Sequence, residues 1–283
     1  MKFILPYIVI LLVLGTACSQ NSKDPDPPGY DFNDPEKFNL PESLLEVSGI
    51  AFYQGKADTV YAIQDEEGKL FALPWKVKKQ THTRFAKKGD YEDLALLADK
   101  AVVLKSNGSL YTFPFDERHF PETDSTREWK GLLPPGEYES LFADAKDSSL
   151  YVLCKNCPGD KTTDKVSGYI LTCGDSLTVT GNFFIDEKQL SMVAGKVKRG
   201  FRPSALARHP LTNEWYILSA VNKLLVITDA QWKVKATYPL NGNRFNQPEG
   251  IAFDSDGNLY ISNEGDDLTN GNILRFVWQP RKK

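Results

Sequence analysis

Hydrophobic and polar positions recur along this chain in short alternating runs, not in the longer three-to-four-residue period of helices. One small pattern appears five times. It is carried by Val47-Ser48-Gly49-Ile50-Ala51, Tyr91-Glu92-Asp93-Leu94-Ala95, Tyr138-Glu139-Ser140-Leu141-Phe142, Pro203-Ser204-Ala205-Leu206-Ala207 and Pro248-Glu249-Gly250-Ile251-Ala252. The aliphatic anchors Ile50, Leu94, Leu141, Leu206 and Ile251 lie 44, 47, 65 and 45 residues apart, the spacing of a repeat array. After each anchor comes a β-rich run: Val60–Ile63, Ala101–Leu104, Leu150–Leu153, Trp215–Leu218 and Leu259–Ile261. A polar or glycine turn separates it from a third run, at Leu70–Leu73, Leu110–Phe113, Tyr169–Leu171, Leu224–Ile227 and Ile273–Phe276. Weaker fourth runs come next at Thr83–Phe85 and Lys235–Tyr238. Four short strands per unit of roughly 40–50 residues make a propeller blade. The pattern therefore predicts an all-β fold, a five-bladed β-propeller of four-stranded antiparallel blades, spanning residues 30–283.

Six blades is the alternative, because one spacing is long. Its excess is split between a loop at Lys155–Val166 and a stretch at Asp186–Gly200, where Glu187–Val193 reads as a short helix. Neither piece approaches a blade's length, so five is the expectation. The last repeat ends at Phe276-Val277-Trp278 with no fourth run. Tyr30-Asp31-Phe32-Asn33 is expected to supply the missing strand and so remove a raw sheet edge.

The N-terminus carries a different signal. Lys2, an apolar stretch from Ile4 to Leu14, and Gly15-Thr16-Ala17-Cys18 form a secretory signal peptide over residues 1–17. A cysteine directly after small residues resembles a lipobox, which assigns lipidation to Cys18, although Leu14 sits one place early for the usual pattern. Two or more acyl chains there give stable anchoring. Residues 18–29 are rich in Pro and Asp and read as a flexible tether. Ser22-Lys23-Asp24 and Asp26 bear a weak resemblance to the acidic surface-export tag of Bacteroidetes lipoproteins. These features place the protein in the cell envelope, at the outer membrane, periplasmic or surface-exposed.

Composition narrows the function classes. The 283 residues are 41% hydrophobic and 25% charged with a net charge of −3, an ordinary globular mix with no basic field for nucleic acid. The longest basic cluster, Lys196, Lys198 and Arg199, reads as a solvated face. A monomer is expected. Beyond Cys18 the cysteines are Cys154, Cys157 and Cys173. In an oxidising compartment Cys154 and Cys157 form a candidate disulfide, while Cys173 is too far along the next run of a hairpin to meet Cys154. Free thiols are the alternative.

The candidate chemistry sits two residues before each anchor, where the first strand of each blade lines the channel. That column reads Ser48, Glu92, Glu139, Ser204 and Glu249. Three carboxylates on a narrow ring repel one another unless compensated. Oxygen donors without His or Cys favour calcium or magnesium, so Glu92, Glu139 and Glu249 are the candidate metal ligands and calcium the candidate cofactor. The other reading is that they hydrogen-bond the backbone of the next blade, or that Lys155 neutralises them. A second column, at the ends of the second strands, contains Asp65, Ser106, Lys155, Ala220 and Glu264; Asp65 and Glu264 would be neighbours across the closure, or plain surface acids. Asp254-Ser255-Asp256-Gly257-Asn258 begins like a calcium loop but has Gly265 where an EF-hand needs Glu, so it reads as a hairpin turn.

Gln247-Pro248-Glu249-Gly250-Ile251-Ala252-Phe253 followed by Gly257-Asn258-Leu259-Tyr260-Ile261-Ser262-Asn263-Glu264 resembles the signature of the SdiA-regulated family, as do Val47–Ile50 and Pro203–Ala207. The resemblance covers residues 40 to 278; its shorter pieces are shared with NHL repeats. It implies a five-bladed propeller with bound calcium and no established catalysis, with Glu92, Glu139 and Glu249 at the family's acidic positions. Ser48 and Ser204 depart from an all-carboxylate cage. No Gly-x-Ser-x-Gly elbow, phosphate loop or zinc-binding helix pair is present, and His82, His119 and His209 lack metal spacing and read as surface or turn residues. The expected function is a calcium-binding envelope module for an unknown protein or small-molecule ligand. The alternative is a metal-dependent hydrolase, in which Lys155 and Asn156 beside the glutamates act as in gluconolactonase-like propellers. The lipidation reading has a direct check: Cys18→Ala is expected to move the protein from the membrane pellet to the soluble fraction on cell fractionation.

Overall fold

The structure is a computed structural model that describes residues 25–195, 197 and 200–280. The leader, Cys18, residues 19–24 of the tether, and the basic cluster Lys196, Lys198 and Arg199 lie outside the described residues. Among those described, no helix is long and apolar enough to cross a membrane.

Five four-stranded antiparallel sheets form the described fold, one per repeat. Blade 1 holds β2 (Val47–Ala51), β3 (Thr59–Gln64), β4 (Lys69–Pro74) and β5 (Thr81–Arg84). Blade 2 holds β6 (Tyr91–Leu96), β7 (Lys100–Lys105), β8 (Leu110–Pro114) and β9 (Arg127–Trp129). Blade 3 holds β10 (Glu137–Asp144), β11 (Ser149–Asn156), β12 (Lys165–Cys173) and β13 (Leu177–Asp186). Blade 4 holds β14 (Ala205–Arg208), β15 (Trp215–Ser219), β16 (Leu224–Thr228) and β17 (Val234–Pro239). Blade 5 holds β18 (Pro248–Phe253), β19 (Leu259–Asn263), β20 (Asn272–Phe276) and, from the start of the chain, β1 (Glu36–Asn39).

The residue pattern explains the burial of each strand. The middle strands β15, β16 and β19 are buried at every position because both faces of a blade pack on neighbours. The outer strand β5 is mostly exposed. The apolar core accordingly lies between blades, in five clusters that each join two adjacent blades. Tyr61 and Ile63 meet Leu94 and Val103 between blades 1 and 2, for example, and Val60 and Phe71 meet Ala252 and Tyr260 between blades 5 and 1. Near the axis the backbones approach closely. A Cβ at Gly49 would strike Asp93 and the amide of Leu94, and one at Gly250 would strike Ser262 and the carbonyl of Ser48. Polar side chains bridge blades there: the Asp93 carboxylate accepts from Leu141 N at 2.6 Å, Ser204 Oγ donates to Pro248 O at 2.7 Å, and Ser262 Oγ donates to Ser48 O at 3.1 Å.

The long spacing in blade 3 is absorbed by extended strands and two helices. β12 and β13 have nine and ten residues, α1 (Asp160–Thr163) sits in the loop after β11, and α2 (Glu187–Ala194) comes directly after β13. Asp186 caps α2 by accepting from Lys188 N at 2.8 Å. Asp254–Asn258 is a hairpin turn, with Gly257 at φ +85°.

Closure differs in detail from the sequence expectation. The N-terminal segment does complete the last blade, but the strand is Glu36–Asn39, paired antiparallel with Arg275–Asn272, and not Tyr30–Asn33. Tyr30 and Phe32 instead bury their rings. Phe32 packs on Phe276 at 4.6 Å between ring centroids, and Tyr30 donates its hydroxyl to Gly257 O at 2.6 Å. Aromatic side chains gain more by burial between blades 4 and 5 than they could on an outer strand. Phe32→Ala is therefore expected to cost about 3–5 kcal/mol, read as a lower midpoint in urea unfolding.

Candidate functional site

A β-bulge builds the acidic mouth. In β6 the pairing with β7 skips from Tyr91 to Asp93, in β10 the pairing with β11 skips from Tyr138 to Ser140, and in β18 the pairing with β19 skips from Pro248 to Gly250. The skipped residues are Glu92, Glu139 and Glu249. A bulge leaves its extra residue out of the ladder and re-aims its side chain. β2 has the equivalent irregularity across Ser48-Gly49. Sequence reading missed these bulges, though an aromatic or proline before each Glu and a small or acidic residue after it is a recurring local signature.

The three glutamates share one environment. Burial raises Glu92 to about 9, helped by the charges of Glu139 and Asp90. Burial raises Glu249 to about 8, with Glu139 and Glu264 adding to it. Glu139 rises only to about 7, because Lys155 opposes the effect of burial. Lys155 hydrogen-bonds Glu139 and lies 3.5 Å from Glu137. Burial works against the Lys155 ammonium, but the adjoining Glu139 outweighs it and holds its pKa above the ordinary value. Ser48 and Ser204 are both buried; Ser204 Oγ is spent on Pro248 O and also accepts from Ala220 N at 3.3 Å.

The second column enlarges the mouth. Burial raises Glu264 to about 7 with Asp65 as its main charged neighbour, and burial with Glu46 raises Asp65 to about 6. Asp65 Oδ1 is buried without a hydrogen-bond partner. Gln247 hydrogen-bonds Glu264, and Ser106 hydrogen-bonds Asp90. Glu46, Asp90, Glu137 and Lys223 also belong to this electrostatic cluster and were not singled out in the sequence. Lys223 donates to Phe245 O at 3.2 Å, and burial holds it below its ordinary pKa.

Cys154 and Cys157 form a disulfide with Cα atoms 6.0 Å apart, flanking Lys155, and Cys173 is a buried free thiol. Cys154, Cys157 and Asp160 are the described residues whose metal-type ligand atoms all lie within 4.8 Å of one another, and the disulfide removes the two thiolates. Glu92, Glu139 and Glu249 do not meet that spacing among the described residues. His209 lies in a turn, one of the two places expected of it, but it is fully buried, accepts at Nδ1 from Leu211 N and Thr212 N, and is pushed down to about 4 by burial.

A five-bladed propeller with an acidic channel mouth is thus the class that fold and site define. The model of the family described as SdiA-regulated matches residues 187–267. That span runs from α2 through blade 4 to Glu249 and Glu264, and is shorter than the 40 to 278 over which the resemblance was read. No curated protein matches the sequence. Among solved structures, the chain is similar to a glutaminyl cyclase of Myxococcus xanthus at 12% identity, with 86% of this chain and 95% of that one covered and a TM-score of 0.57. A luciferin-regenerating enzyme (13% identity, 86% and 95% covered, TM-score 0.48) and virginiamycin B lyase from Staphylococcus aureus (14%, 86% and 70%, TM-score 0.47) are matched as well. At these identities the likeness is one of fold.

The raised carboxylates have a definite pH consequence. A carboxyl held above its unfolded pKa adds stability that is complete below the unfolded value and is lost as pH rises through the folded value. For Glu92 that window runs from about 4.5 to about 9. Glu92→Gln removes the loss, so in chelator its melting temperature is expected to gain on wild type steadily from pH 5 to pH 9 and no further above it.

Proposed function

We propose that this chain is a lipid-anchored envelope protein, held at the outer membrane through Cys18, whose propeller is a binding module and not an enzyme. The acidic mouth is its recognition surface, and calcium is its cation. The observation that supports this is that three blades each spend a bulge to aim a carboxylate at one mouth, Glu139 buried and Glu92 and Glu249 half-buried, where a single lysine makes ion pairs with only one of the three, Glu139. Such an arrangement costs folding stability, which a structural role alone does not call for.

The donor chemistry suits a hard cation, since every candidate group is an oxygen. The spacing does not suit it directly, because the carboxylate oxygens are not gathered within 4.8 Å and Lys155 holds Glu139. Calcium therefore competes with the Lys155 ammonium and with protons on Glu92 and Glu249. A ligand with a cationic group would meet the same competition. The hydrolase reading needs Lys155 free to act on a substrate, whereas both Glu139 and Glu137 engage it.

Calorimetric titration with calcium is expected to show binding that tightens from pH 6 to pH 8. Lys155→Met is expected to tighten it about tenfold further, which corresponds to about 1.4 kcal/mol, and Glu249→Gln to weaken it by at least as much. Absence of calcium heat in both wild type and Lys155→Met overturns the cation assignment.

A further inference from the structure

The other end of the channel is chemically opposite. A cavity of about 460 Å³ opens there, within the size range of small-molecule sites. All five repeat anchors, Ile50, Leu94, Leu141, Leu206 and Ile251, line it. None of Ser48, Glu92, Glu139, Ser204 and Glu249 does. The anchor ring thus separates the acidic mouth from an apolar cup. Each blade also contributes an alanine to the lining, Ala51 and Ala143 among them, and these small side chains leave the space open. Except for Lys146, an exposed side chain whose ammonium reaches water, the charges at the rim are already committed. Arg208 pairs with Asp144 at 2.7 Å, and Asp254 accepts from Asn258 and Tyr260. An uncharged aliphatic chain is the ligand class that fits such a cup.

The course of the N-terminal segment indicates where that chain comes from. Gly29 O accepts from Gln279 N at 2.8 Å, and the Tyr30 hydroxyl donates to Gly257 O at 2.6 Å. Gly257 lies in the hairpin whose Asp254 and Ser255 line the cup, and the Tyr30 ring is 6.2 Å from that of His209, another lining residue. The chain thus enters the fold beside the cup, on the face away from the glutamates. From Pro25, the first described residue, back to Cys18 is seven residues, a reach of about 25 Å when extended. Leu211, exposed on the hairpin between His209 and Glu214, extends the apolar surface outward from the rim.

We propose that the cup holds one acyl chain of the lipid on Cys18, leaving the remaining chain or chains in the bilayer. This rests on the lipid-anchor reading above. It draws the propeller against the membrane with the acidic mouth facing away.

The test uses the full chain in native membranes, with benzoylphenylalanine in place of Gln54, an exposed residue of the cup lining. Irradiation and then mass spectrometry are expected to join position 54 to the acyl group of the same molecule's N-terminal peptide. Crosslinks only to membrane phospholipid, or to no lipid, overturn the proposal. The mass of the N-terminal peptide separates the two readings: an unmodified Cys18 overturns the anchor and with it this occupant, whereas a lipidated Cys18 without the crosslink overturns the occupant alone. Full-length Cys18→Ala supplies an independent arm. It is expected to bind the uncharged dye Nile red, and both Ala143→Phe and Ala51→Leu are expected to weaken binding at least tenfold with melting temperatures near that of Cys18→Ala. Failure of Cys18→Ala to bind the dye overturns the cup as a hydrocarbon site.

Discussion

Pairing of β1 with β20 is the interaction on which the rest of the molecule depends. Without it blade 5 would present an open edge, and nothing from the start of the chain would sit in the last blade. With it, two segments more than 230 residues apart become neighbours, and blade 5 is locked against both blade 4 and blade 1. The same pairing brings Tyr30 and Phe32 into the seam between blades 4 and 5. It also places Glu249 and Glu264 of blade 5 around the axis from Asp65 of blade 1. The acidic mouth is therefore a product of closure as much as of the individual strands.

The strands were legible in the sequence because each blade repeats one alternation with one aliphatic anchor, and because the middle strands, buried on both faces, read as continuous apolar runs. The helix at Glu187–Ala194 was legible too, as a separate stretch inside the one long spacing. Information held between segments escaped. Nothing local distinguishes Glu36-Lys37-Phe38-Asn39 from Tyr30–Asn33 as the closing strand; the partner β20 selects it by register. Nor does local pattern say that Glu92, Glu139 and Glu249 are bulge residues, since a bulge is a property of two strands. His82 and His209 look alike in sequence, yet only His209 is enclosed, by Tyr30, Tyr216, Phe253 and Trp278, which come from separate stretches of chain.

The acidic column illustrates how a repeat fold concentrates function. One carboxylate at a bulge would be a surface acid like many others. Three at equivalent places converge because the propeller's symmetry carries equivalent positions to one axis. Burial then does the rest, lifting each above its ordinary range and leaving Lys155, set beside the Cys154–Cys157 disulfide, as the counter-charge bonded to the ring, with Lys223 acting on Glu249 from further off. The departures at Ser48 and Ser204 fit this balance, since five carboxylates crowded at one mouth would be harder to fold than three.

All five inner strands run in the same direction along the axis, so the molecule has a head and a tail that no rotation can exchange. Order along the chain becomes direction in space: residues just before an anchor face one compartment, and residues just after it face the other. A single-residue deletion inside β6, β10 or β18 would be more than a local packing fault. It would transplant an ionisable group toward the apolar anchor ring, or an aliphatic group toward the acidic mouth, on one spoke of an otherwise consistent wheel. Length in these five short segments is thus under tighter geometric constraint than composition, while the outer strands and the blade 3 insertions are free to drift.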